Sequence, residues 1–287
     1  MGKFDGYVLV SDFDGTLIDH QHSVSPENVR AVRRFIAEGG RFLGATGRTE
    51  LNVIPFAEGL PMTSPWILYN GAAIYDWSTG RFIYKAVLDR PLTEAFLRKV
   101  MAKFPGVNVQ VFMGGPFAQV NPSARPDTLA VREAQYFENK PLEAIVDDWL
   151  KVLFCTDLPE EIAAIEAMLG EDPLGTQVHK THSGARYFEL TAPGVTKGSA
   201  LKWLKEKLQP TPRCVVAIGD YTNDVEMLCE ADIAAAPESA LAEVKAYADI
   251  ITNGHTESAI ADLIDRLESY DCASGGSRAI ISPATTG

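Results

Sequence analysis

The chain has 287 residues, 46% of them hydrophobic and 22% charged, which excludes a disordered polypeptide and supplies ample apolar material for a core. At roughly 100–200 residues per domain, this length corresponds to one large domain or two modest ones. The formal net charge of −12, from 26 basic against 38 acidic residues, argues against nucleic acid or an anionic membrane surface as a partner, and means that an anionic substrate must be drawn by local positive charge.

No apolar run approaches the roughly 18 residues of a membrane-spanning helix, and no apolar signal region opens the chain at Met1–Asp5. Cys155, Cys214, Cys229 and Cys272 match no zinc or redox spacing. They read as buried or incidental thiols, which fits a reducing, cytoplasmic setting.

Tyr7–Val10 is a strand-type run that stops at the polar cluster Ser11-Asp12-Phe13-Asp14-Gly15-Thr16. Ser25-Pro26 starts a helix as N-cap and first-turn proline, Val29, Val32 and Ile36 continue it, and Gly39-Gly40 ends it. Arg41–Ala45 reads as a second strand, ending at Thr46-Gly47-Arg48; a helix over 49–57 and a strand at Trp66–Tyr69 follow. Alternating strands and helices predict a parallel sheet with helices on its faces, an α/β fold. Near residue 72 the rhythm changes to a hairpin around Ser78-Thr79-Gly80, then to helices at 92–103 and 159–169 and strands at 107–112, 151–155 and 186–190. From Thr196 the first rhythm returns, with helices at 196–207, 222–230, 239–246 and 256–268 and strands at 214–218 and 232–235. The organisation expected is a discontinuous core, 1–84 and 191–270, interrupted by an α+β domain at 85–190, with a tail at 271–287 rich in Ser, Gly, Ala and Thr and expected to be disordered.

Polar clusters sit where strands stop: Asp12/Asp14, Thr46 and Asp220/Asp224. In open parallel sheets the binding crevice lies at those carboxyl ends, so the clusters converge. Carboxylates gathered that way call for a hard cation with oxygen ligands, and Mg²⁺ suits a site that also takes a phosphate. Asp12 is placed to be a carboxylate nucleophile and Asp14 a general acid and base, since neighbouring like charges push two pKa values apart. Gly15 permits a tight turn, and the amides near Phe13 and Asp14 can cradle phosphoryl oxygens.

The string Asp-Phe-Asp-Gly-Thr-Leu at 12–17 resembles the first motif of the haloacid dehalogenase-like hydrolases. Thr46 in Gly-Ala-Thr-Gly-Arg is similar to the second motif, Lys197 in Gly-Val-Thr-Lys-Gly-Ser to the third, and the segment from Gly219 to Leu228 to the fourth. All four occur in the family order. The large insertion between the second and third, together with Asn70-Gly71-Ala72 and Glu189, resembles the Cof-type branch (class IIB). Ala234–Ala240 and Ser258, where a Gly is common, depart from the branch pattern.

The resemblance implies a Rossmann-like core, an α/β cap, Mg²⁺ and hydrolysis of a phosphate ester, for a small phosphorylated metabolite such as a sugar phosphate. In the mechanism it implies, Asp12 attacks phosphorus and forms an aspartyl phosphate. Asp14 protonates the leaving oxygen and then activates water. The metal is held by the Asp12 carboxylate, the Asp14 backbone carbonyl, Asp220 and, directly or through water, Asp224. Thr46, the Gly47 amide, Lys197 and Asn223 bind the phosphoryl oxygens.

Several of these residues also have plainer readings. Arg48 is either a phosphate-side charge or a surface residue at a helix start. Asn70 is a substrate contact or a strand-end turn residue. Lys197 alone would be a solvated helix residue, and Asp224 a helix cap. Lys151, His182 and Arg186 are candidates for specificity within the cap. A phosphomutase using the same aspartates and a non-catalytic phospho-ligand-binding regulator are the alternative functions; the sequence leaves the oligomeric state open.

Overall fold

Tyr7–Asp12 (β1) is buried along its whole length, as a central strand must be, and lies between two parallel neighbours, Arg41–Ala45 (β2) and Cys214–Ile218 (β12). The computed structural model describes residues 2–19, 21, 23–121, 125, 136–183 and 186–269. The expected disordered tail at 271–287 lies outside the described residues. The sheet continues through Pro65–Leu68 (β3), Ala73–Asp76 (β4) and Arg81–Lys85 (β5) on one side, and Ile233–Pro237 (β13) and Ile250–Thr252 (β14) on the other. Its order is β14-β13-β12-β1-β2-β3-β4-β5, with β4 and β5 antiparallel at one edge.

Alternate side chains of β1 serve opposite faces. Leu9 packs with Phe35 of helix α1 (Pro26–Ala37) and with Ile260, Leu263 and Ile264 of α8 (Ala259–Leu267). Val8 and Val10 pack with Leu201 and Leu204 of α5 (Lys197–Lys207) and Met227 of α6 (Val225–Glu230). Helices therefore cover both faces, as the continuous apolar strands require. The Ser25 hydroxyl accepts from the Asn28 amide at 3.1 Å and Pro26 fills the first turn, so α1 starts where its cap is placed.

The second sheet has the order β10-β11-β9-β6-β7-β8, built from Asn108–Phe112 (β6), Phe117–Gln119 (β7), Phe137–Asn139 (β8), Lys151–Cys155 (β9), His179–His182 (β10) and Tyr187–Thr191 (β11). Helices α3 (Arg90–Lys103) and α4 (Pro159–Glu171) cover one face. They bury Val109, Val111, Val152, Phe154, Phe188 and Leu190 against Phe96, Leu97, Ile162 and Ile165. The alternating partners on the same strands, Gln110, Phe112, Lys151, Leu153, Tyr187 and Glu189, line a cavity shared with the first sheet.

The short strands β7, β8, β10 and β14 carry too few residues for a sequence pattern to register. The helix expected over 222–230 opens as a tight turn at Thr222–Asp224 before α6, because the Asp224 carboxylate accepts from the Asp220 and Tyr221 amides and draws the chain back on itself. The helix expected over 239–246 shortens to Ala242–Lys245 (α7). That over 256–268 breaks at Ser258, whose φ of 60° is left-handed; its hydroxyl is held 2.8 Å from that of Ser25. This conformation accounts for the glycine expected there. One expectation is overturned: Cys214 is disulfide-bonded, not a thiol. Sequence spacing says nothing about which sulfurs a fold brings within bridging distance.

Candidate active site

The ends of β1, β2, β3 and β12 are neighbours, so the residues that follow them meet at one edge of the sheet. Asp12 is the last residue of β1, and Asp220 and Asp224 follow β12. Each offers a carboxylate oxygen, all within 4.8 Å of one another. Three acids this close need positive charge. Lys197, at the first turn of α5, supplies part of it, donating to Asp12 Oδ1 at 2.5 Å and Asp224 Oδ1 at 2.7 Å from a fully buried position. Burial would depress the Lys197 ammonium, but attraction to both carboxylates outweighs it and holds the group charged.

One ammonium does not balance the cluster. Burial, and then repulsion from Asp224, raise the Asp12 carboxyl well above the usual range despite Lys197. The same two causes raise Asp220 to about 6, against the lowering effect of a Thr16 hydroxyl donating at 2.8 Å. A carboxylate set that resists ionisation until more positive charge arrives fits a divalent cation held by oxygen. Asp224 has both oxygens engaged, one by Lys197 and the other by the Asp220 and Tyr221 amides at 3.0 and 3.1 Å. Its observed part is to hold Lys197 and the loop after β12 in place.

Gly15 has φ of +82°, and a Cβ there would stand 2.6 Å from Asp220 Oδ2, so the turn after β1 passes against the acidic cluster only because it has no side chain. The Phe13 ring is fully buried beside Trp66, which limits any contact of this residue with a phosphate to its backbone. Asp14 points to the cavity mouth and is gripped by Arg48 through Nε at 2.8 Å and Nη2 at 2.6 Å. Arg48 is therefore not a surface residue: its side chain is 10% exposed, and its guanidinium stacks over Phe56 at 4.5 Å. The buried Thr46 hydroxyl accepts from the Arg48 amide at 3.1 Å.

Asn70 joins the two halves of the site. The chain turns left-handed at Tyr69 and Asn70, both with φ of 54°, held by Tyr69 N–H to the Arg48 carbonyl and Asn70 N–H to the Thr46 carbonyl. The buried Asn70 amide donates to Glu189 Oε2 at 2.8 Å and accepts from Asn223 Nδ2 at 3.2 Å. Glu189 pairs with Lys151 at 2.9 Å, and Lys151 donates to the Gly47 carbonyl at 2.8 Å. A second bridge joins Glu50 of α2 (Glu50–Val53) to the Gly115 amide at 2.5 Å and to the Tyr69 hydroxyl.

Asp12, Asp14, Thr46, Gly47, Arg48, Asn70, Lys197, Asp220 and Asn223 line one cavity of about 330 Å³; Gly15, Phe13 and Asp224 stand behind its wall. Of the three specificity candidates only Lys151 reaches it. His182 pairs with Glu166 of α4 on the helix-covered side of the second sheet, beside Phe188, and Arg186 pairs with Asp157, so neither lines the cavity. Sequence reasoning missed Gln110, Ser183 and Tyr187 as lining residues. For Gln110 and Tyr187 the signal was the polar member at alternate positions of otherwise apolar strands, Asn-Val-Gln-Val-Phe and Tyr-Phe-Glu-Leu-Thr; Ser183 follows β10 outside any strand and carried none. No helix among the described residues is long and apolar enough to cross a membrane.

A family model of haloacid dehalogenase-like hydrolases matches residues 9–264 of this chain. A 5-amino-6-(5-phospho-D-ribitylamino)uracil phosphatase of Bacillus subtilis is 28% identical over 257 residues, which cover 90% of this chain and 94% of that protein. A solved haloacid dehalogenase-like hydrolase from Bacteroides thetaiotaomicron superposes with a TM-score of 0.81 at 25% identity, over 91% of this chain and 99% of that one. A subclass IIB sugar phosphatase of the same superfamily shares the fold, with a TM-score of 0.73 at 20% identity over 91% of this chain and 98% of that one.

Proposed function

We propose that this chain, which belongs to the haloacid dehalogenase-like hydrolases, is a Mg²⁺-dependent phosphatase that hydrolyses a small phosphorylated metabolite through an aspartyl phosphate on Asp12. Residues 1–84 and 191–270 form the catalytic core in this reading, and 85–190 the cap. The observation that carries it is the convergence of Asp12, Asp220 and Asp224 around Lys197, with Asp14 beside them, in a cavity roofed by the second sheet.

Asp12 and Asp220, with the Asp14 carbonyl, are the residues to hold the metal, and Asp224 steadies them. Bound Mg²⁺ supplies the missing positive charge, so that Asp12 ionises and the phosphoryl oxygens are neutralised. An Asp12 oxygen attacks phosphorus in line as the ester P–O bond breaks. Asp14, aimed by the Arg48 fork, gives its proton to the departing oxygen. It then takes a proton from the water that attacks the aspartyl phosphate, which returns Asp12 and releases phosphate. Lys197, Thr46, the Gly47 amide and Asn223 hold the phosphoryl oxygens. The cavity volume suits a phosphoryl group on a leaving group of modest size, and a phosphorylated polyol chain like that named for the Bacillus subtilis relative fits this description.

Phosphate release from a panel of phosphorylated metabolites, with Mg²⁺ and with excess chelator, tests this reading. Release that needs Mg²⁺ and disappears in Asp12→Asn is expected. Folded, Mg²⁺-binding protein that releases no phosphate from any member would instead favour phosphoryl transfer between two ligands, or ligand sensing.

A further inference from the structure

The cations lining the cavity among the described residues are Arg48, Lys151 and Lys197, and each is matched to a carboxylate. Arg48 grips Asp14 and Lys197 joins Asp12 to Asp224. Lys151 sits on the roof and meets the core side of the cavity through the Gly47 carbonyl, to which it donates at 2.8 Å. Its side chain and that of Glu189 are 3% and 2% exposed, their ion pair measures 2.9 Å, and the ammonium lies 4.4 Å from the centre of the Phe112 ring. Both Glu189 oxygens are occupied, Oε2 by Lys151 and Asn70 and Oε1 by the Ser183 hydroxyl. The pair is thus tied to the core on one side and the cap on the other, beside the apolar Phe112 and Leu153.

We propose that Glu189 sets the charge selectivity of the site: by neutralising Lys151 it makes the roof accept an uncharged, hydroxyl-bearing leaving group and reject a second anionic group. The inference rests on the phosphatase reading and adds the class of leaving group to it. A lone buried lysine facing a phosphate site would be a receptor for a second phosphate or a carboxylate. With Glu189 against it, a second anion meets a carboxylate and finds no cation unspent among the described lining residues, in a setting where water screens little. Hydroxyls suit the same wall, which offers hydrogen-bonding side chains and backbone but no net charge.

The test compares sorbitol phosphate with phosphogluconate at saturating Mg²⁺. The two share a six-carbon chain and a terminal phosphoester and differ in bearing a hydroxymethyl group or a carboxylate at the far end. Wild type is expected to favour sorbitol phosphate in kcat/KM. Glu189→Gln should move the ratio toward phosphogluconate by about tenfold or more, and Lys151→Met should move it the other way. A merely structural role would lower both substrates together, so the opposite signs are the signature. Wild-type preference for phosphogluconate, turnover of neither substrate by a protein that hydrolyses other phosphomonoesters, or an unmoved ratio in folded Glu189→Gln would overturn the inference. If Glu189→Gln does not fold, the Lys151→Met ratio decides. Absence of Mg²⁺-dependent release from every phosphomonoester would instead remove the phosphatase reading and this inference with it.

Discussion

Lys197 Nζ donates to Asp12 Oδ1 at 2.5 Å with both side chains almost wholly shielded from water. The same ammonium holds Asp224, so the third motif is tied to the first and fourth through one atom. A cation in that position does two jobs. It keeps two buried carboxylates tolerable in the folded protein and, in the proposed reaction, offers positive charge to the phosphoryl oxygens.

Lys197→Met separates these jobs. Removing one partner from a buried ion pair strands the others, so the metal-free variant should be about 3–5 kcal/mol less stable in urea unfolding. Mg²⁺ restores positive charge to the same carboxylates and should raise the Tm of the variant more than that of wild type, while phosphatase activity stays lost. Equal Mg²⁺-induced shifts in the two proteins would show that Lys197 and the metal do not share the cluster.

The carboxylates were legible in the sequence because each ends or follows an apolar run, and parallel topology gathers strand ends. Lys197 was legible through its motif, and its helical spacing sets it on the buried face of α5 with Leu201 and Leu204, away from the exposed Lys202. The Arg48 fork was not legible, because it depends on a stack with Phe56 in the turn after α2. Nor were the Asn70–Glu189 and Glu50–Gly115 bonds, which join residues 119 and 65 positions apart. Those contacts exist only once the second sheet is docked, and no local pattern encodes docking.

Gly15→Ala places a methyl group 2.6 Å from Asp220 Oδ2 and forces a left-handed φ of +82° on a residue with a Cβ. The strain should cost on the order of 1–2 kcal/mol of stability. Displacement of Asp220 should also weaken Mg²⁺ affinity measured by calorimetry. A variant with wild-type affinity would show that Asp220 can retreat without leaving the metal site.

The pH dependence follows from Asp220, whose carboxyl is raised from 3.8 to about 6 by burial and by Asp224. Without metal, the folded protein keeps a proton across this window that the unfolded chain has lost, so this group makes stability fall as pH rises from about 4 through about 6. Cation binding needs the carboxylate deprotonated, so it strengthens over the same window. The Mg²⁺-induced increase in Tm should be small near pH 5 and reach its plateau above about pH 7. An increment that is flat with pH would mean that Asp220 does not contribute to the metal site.

Arg48 holds Asp14 by a two-nitrogen fork and is itself fixed by Phe56 and the Asn52 carbonyl, which accepts at 3.3 Å. In the proposed mechanism Asp14 faces the leaving oxygen in the first step and water in the second, and an exposed carboxylate left free would spend most of its time elsewhere. Arg48→Lys retains the charge but cannot form the fork or stack as a plane. It should lower kcat by on the order of 10²-fold with KM changed far less, because the loss is in aiming a proton and not in binding phosphate. If Arg48 instead contacts the phosphoryl group, KM will rise and Lys will rescue much of it, as a point charge can. The split between kcat and KM therefore assigns the arginine to the aspartate or to the substrate.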